Sequence, residues 1–160
     1  MEQPVKSLIV RYTFILFATL LIKWWIFFFA PWDIPTHIPS TPMNIHGLAF
    51  IACIVAIFIL FQRSVLKLLP GTSIWQLMLW STVSFLLAEA IFQAVRVFTL
   101  ADATGVEKVQ FFVRGTVFTS LFAAAFAFLI AFQLKTKKTG QLLLLILAFL
   151  IIVYIINFLF

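Results

Sequence analysis

Long apolar runs, broken only by short polar links, constrain this chain more than any other feature. From Ser7 to Ala30 the only charges are Arg11 and Lys23, and from Gln141 to Phe160 there is none. A helix that crosses roughly 30 Å of hydrocarbon needs about 20 mainly apolar residues, because each adds about 1.5 Å of rise. Five stretches fit that length or approach it: 7–30, 45–62, 74–100, 109–134 and 141–160. The runs are continuous, without the alternating segments of about 10 residues that build a membrane β-barrel. The expected fold is therefore all-α, a polytopic integral membrane helical bundle of five transmembrane helices forming a single domain over 1–160.

Composition agrees. Apolar residues make up 64% of the chain and charged ones 10%, whereas a water-soluble domain carries about 25% charge to cover its surface. Disordered chains are poorer still in apolar residues, so disorder is excluded as well. The first run follows Lys6, as the apolar region of a secretion signal would. It is too long for that role, however, and no small-residue cleavage site follows it. It reads as a retained membrane span.

The links carry the expected punctuation. Residues 31–44 hold four of the six prolines, which no continuous helix accommodates. Asn44 can cap the second helix, and Pro70 with Gly71 breaks the chain before the third. Residues 101–108 and 135–140 separate the remaining helices.

Lys and Arg exceed Asp and Glu enough to give a formal net charge of +6. The excess sits where membrane orientation needs it. Lys6 and Arg11, Arg63 and Lys67, and Lys135, Lys137 and Lys138 all fall on one side of a five-span bundle. The opposite side has Asp33 alone in the 31–44 link, and Asp102 and Glu107 against Lys108 in the 101–108 link. Cytoplasmic loops collect Lys and Arg, so the expected orientation is N-terminus inside and C-terminus outside. Trp24, Trp25 and Trp32 near the outer end of the first helix, and Trp75 at the inner start of the third, sit where indoles favour membrane interfaces. No basic run interleaved with aromatics points to nucleic acid.

The third helix carries the most informative polar pattern. Glu89, Gln93 and Arg96 are spaced to share one helical face, which Thr82 extends inward. Centred in the bilayer, this helix puts Glu89 within about one turn of the midplane and Arg96 roughly 13 Å outward. A charge at that depth costs a few kcal/mol on insertion scales, so it belongs against the bundle interior or water. Lys23 on the first helix, His46 at the start of the second, and Gln110 and Arg114 on the fourth reach the same outer half. Three fixed cations thus accompany one carboxylate there. One reading is independent snorkelling of Lys23, Arg96 and Arg114 to outer phosphates. The other is a shared, net positive cluster of Lys23, His46, Glu89, Gln93, Arg96, Gln110 and Arg114 that stabilises the bundle or receives an anionic ligand or lipid headgroup.

Two further signals concern packing. Gly115, Thr119, Ala123 and Ala127 form a stripe of small residues on the fourth helix, as close helix approach in lipid requires. The fifth helix is apolar all round from Leu142 to Ile156 except Tyr154, so it faces lipid widely or docks on a membrane partner or a second copy.

Catalytic patterns are sparse. Cys53, the one cysteine, falls near the middle of the second helix, where a buried thiol behaves as a small hydrophobe. It is the weak candidate for a membrane thiol enzyme, and needs a cation or base beside it. Asp33, His37 and His46 have no spacing that aligns metal ligands, and neither an H-E-x-x-H motif nor a phosphate loop occurs. No metal or cofactor is expected. The sequence points to a small accessory or scaffold subunit of a bacterial cytoplasmic membrane. The alternative is a transporter or anionic-ligand-binding protein using Glu89, Arg96 and Arg114, for which no inverted repeat is visible.

Overall fold

The computed structural model describes residues 3–29, 45–98 and 105–148. Four long helices dominate: α1 (Gln3–Phe29), α2 (Ile45–Leu68), α3 (Ile74–Phe98) and α4 (Gly105–Thr136). Each contains a stretch long and apolar enough to cross a membrane: Gln3–Trp25, Phe50–Leu68, Ile74–Val97 and Thr119–Thr136. A fifth helix is described over Thr139–Ala148. The rest of the expected fifth span, 149–160, lies outside the described residues, as do the 31–44 link, Asn44 and the first half of the 101–108 link.

The helices overrun the apolar runs, and for a consistent reason. α1 starts at Gln3 rather than Ser7, with Pro4 in the first turn, where its missing N–H costs nothing. α2 continues past residue 62 to Leu68, because Arg63 and Lys67 share an exposed side while Val65 stays buried. α4 starts at Gly105 rather than 109, on a polar first turn holding Glu107. Charged turns project beyond the apolar stretch without interrupting the helix.

Helix α3 begins on a reciprocal cap. The Gln76 N–H donates to Ser73 Oγ at 3.2 Å, and the Ser73 N–H donates to Gln76 Oε1 at 2.9 Å. This S-x-x-Q arrangement satisfies two amide groups that the first turn leaves without helical partners. At the other end of the bundle sequence, Lys137 closes α4 with a left-handed φ of 56°, its N–H donating to Gln133 O at 3.0 Å.

Two core layers give the relative helix directions. One joins Val5 and Ile9 of α1, Phe61 and Val65 of α2, Leu77 of α3 and Ala131 of α4. The other joins Leu16 and Leu20, Ile54 and Phe58, Phe85, Ala88 and Phe92, and Ala123, Ala127 and Ile130. The start of α1, the end of α2, the start of α3 and the end of α4 therefore share one end of the bundle. Lys135 reinforces the match by donating from Nζ to Pro70 O at 3.2 Å, which ties the end of α4 to the α2–α3 turn. The most extensive helix pair is α3 with α4, followed by α1 with α3. Ala123 and Ala127 of the small-residue stripe are buried in that contact, while Gly115 lies outside the described side chains. The remaining surface exposes large apolar side chains, among them Phe14, Trp25, Leu60, Leu79, Val117 and Leu121. A surface of this kind suits lipid rather than water.

Candidate functional site

Glu89 is the buried carboxylate of the described bundle, only 3% exposed, and Gln93 one turn further along α3 is buried beside it. Their spacing of four residues aligns the side chains, and Gln93 Nε2 donates to Glu89 Oε1 at 2.7 Å. Thr119 of α4 lies beside the same carboxylate, with its hydroxyl donating to Thr116 O at 3.4 Å. Lys23 of α1 and Arg96 of α3 lie close enough to act on Glu89 through their charges, and on each other. Lys23 also places its ammonium 4.0 Å from the centroid of the Phe50 ring on α2, a cation–π contact. One charged knot thus engages all four long helices. Trp24 backs it, meeting Phe92 edge to face at 6.4 Å between centroids.

The knot unites four of the residues singled out by sequence, namely Lys23, Glu89, Gln93 and Arg96. Glu89 and Gln93 lie inside, whereas Lys23 and Arg96 remain exposed at the rim. Gln110 is exposed on α4 and is not drawn in. The side chains of His46 and Arg114 lie outside the described residues, as do Asp33 and His37. Thr82, expected to extend the stripe inward, donates instead to Met78 O of its own helix at 2.8 Å. Cys53 is exposed rather than buried, because the α2 face that enters the core is the one carrying Ile54, Phe58 and Phe61. That placement corrects the expectation of a core thiol.

A second polar node went unrecognised in the sequence. Gln62 is fully buried, and its Nε2 donates to Ser81 Oγ at 3.0 Å and to Ala127 O at 2.9 Å. It links α2, α3 and α4. Thr13 of α1 adds a bond to Ser84 O at 3.2 Å. Gln62 stands directly before Arg63, so in sequence it reads as the polar end of a span; S-x-x-S at 81 and 84 was the signal for Ser81, its side-chain partner. On α4, Thr116 and Ser120 are also buried, and neither hydroxyl has a hydrogen-bond partner.

Among the described residues no group of three His, Cys, Asp or Glu side chains is placed to hold a metal ion. An open groove lies at the opposite end from the knot, between the α2–α3 turn and α3, lined by Leu69, Pro70, Thr72, Gln76 and Trp80. It brings no charged side chain to its walls. The arrangement around Glu89 can hold helices together and present two cations at its rim. No family model matches this chain, and no curated protein or solved structure is significantly similar to it.

Proposed function

We propose that this protein is a small integral membrane scaffold or accessory subunit, with the knot around Glu89 holding its helices in one register. The observation that carries this reading is the way the carboxylate is met within the chain, by Gln93 and Thr119 and by the charges of Lys23 and Arg96. Intramembrane carboxylates often mark proton or ion paths, and this one is bonded to Gln93 of its own helix with Thr119, Lys23 and Arg96 close by. The broad apolar exterior is then available to lipid and to a membrane partner or second copy. We further assign the cation-rich end to the cytoplasmic side of a bacterial cytoplasmic membrane, with five spans in all. A reporter fused after Phe160 is expected to be active outside; cytoplasmic activity overturns the five-span count.

A second reading is favoured by the exposure of Lys23 and Arg96, which together give the rim a net positive charge suited to an anionic ligand or lipid headgroup. Reconstitution separates the two. Purified protein in liposomes is expected to move no anion, while Glu89→Gln and Arg96→Gln lower its yield in the folded state. Anion flux by the wild-type chain, abolished by folded Arg96→Gln, overturns the scaffold reading.

A further inference from the structure

Buried serine and threonine hydroxyls in this bundle follow one pattern, and two of them break it. Ser81 donates to Leu77 O at 2.7 Å and Ser84 to Trp80 O at 3.0 Å, each using the carbonyl one turn earlier. Thr13 reaches across to Ser84 O, and Thr72 donates to Leu69 O at 2.7 Å. Thr116 and Ser120 are 7% and 9% exposed, yet their hydroxyls have no partner. A back-bond to the preceding turn is open to any helical hydroxyl. Leaving two buried hydroxyls without it is costly unless something else meets them.

The register of α3 against α4 locates these two groups. Gln62 bridges Ser81 and Ala127, which sets those residues level. Eight residues outward on both helices, the same register sets Glu89 level with Thr119. Continuing the antiparallel count, Ser120 is level with Ala88, and Thr116 is level with Phe92 and Gln93. Both unpartnered hydroxyls therefore belong to the outer seam beside the Glu89–Gln93 pair, not to the deeper seam around Gln62.

We infer that this outer seam is a hydrated crevice, in which water bonded to Thr116 and Ser120 reaches the Glu89–Gln93 pair from the Arg96 end. The chemistry selects a neutral guest. Lys23 and Arg96 oppose a cation there, and Glu89 opposes an anion. Water can accept from and donate to hydroxyls and amide alike, and buried waters commonly make about three such bonds. The inference does not depend on the scaffold role, since a transporter or a static subunit could equally contain it.

Thiol labelling tests it in intact cells or sealed right-side-out vesicles, with Cys53→Ser removing the native thiol. Thr116→Cys and Ser120→Cys are each made in that background, with Val106→Cys as the exposed reference and Ala127→Cys as the deep-seam reference. A small, uncharged, water-soluble methanethiosulfonate is expected to add one adduct mass to the 116, 120 and 106 thiols and none to the 127 thiol. Labelling at 106 with none at either 116 or 120 overturns the inference. Labelling at 127 equal to that at 116 and 120 also overturns it, because the seam is then loose throughout. Should the cysteine variants not fold, the wild-type chain in micelles gives the same answer by NMR. Water cross-peaks are expected at Thr116 and Ser120 and not at Ala123 or Ala127; their absence at both hydroxyls contradicts the crevice.

Discussion

The two halves of this bundle solve the same problem with different chemistry. In the half holding Gln62, neutral groups join helices: an amide, two serines, a threonine and backbone carbonyls. In the half holding Glu89, a carboxylate is met by an amide, a hydroxyl and two cations. Neutral bonds between membrane helices are worth about 0.6 kcal/mol each on average, so the Gln62 node chiefly orients its neighbours. A buried carboxyl is different. Its partners must be present, because an unmet ion in a low-dielectric interior is far more costly than an unmet amide. The comparison teaches that the Glu89 half is bound by an obligation, and the Gln62 half by preference.

Substitutions can break that contrast. Glu89→Ala leaves Gln93 without its acceptor and takes the carboxyl away from Thr119, Lys23 and Arg96. A loss of about 2–3 kcal/mol is expected, read as destabilisation in micelles by denaturant titration or steric trapping. Ala127→Leu probes the neutral half by volume instead. Its position is fully buried against Gln62, so overpacking is expected to cost about 2 kcal/mol on the same assay.

Gln62→Leu sharpens the contrast more than either. It removes both bonds from Nε2, but it also removes Oε1, which is buried without a partner. Ser81 keeps its own bond to Leu77 O. The net change is expected to stay within about 1 kcal/mol, since deleting a partly satisfied polar group for an apolar one of similar volume is close to neutral. A loss as large as that of Glu89→Ala would erase the distinction between the halves. Smallest of all, Cys53→Ser on the exposed side of α2 is expected to change stability by less than about 0.5 kcal/mol.

Much of this was legible in the chain. The apolar runs located all four long helices, and the loop cations grouped the ends that Lys135 and Pro70 join in space. Glu89 and Gln93 were legible because a pair four apart on one helix needs no tertiary information to meet. Helix ends were not, since polar turns at Gln3–Lys6, Arg63 and Glu107 look like boundaries to a hydropathy reading but remain helical. Thr119 was visible only as a small residue in a stripe, and its place beside Glu89 depends on the α3–α4 register. Gln62 was hidden by its neighbour Arg63: one side chain turns into the core and the next turns out. The small-residue stripe through Thr119 also drew attention from Thr116 and Ser120, which lie on the buried side with Ala123 and Ala127.

The central claim is that Glu89 and Thr119 are coupled across the α3–α4 seam. A double-mutant cycle on unfolding in micelles, using Glu89→Ala, Thr119→Val and the pair, measures that directly. A coupling of about 0.6–1.7 kcal/mol, the range of interhelical hydrogen bonds in membranes, is the predicted result. Effects that simply add, to within about 0.3 kcal/mol, would contradict it.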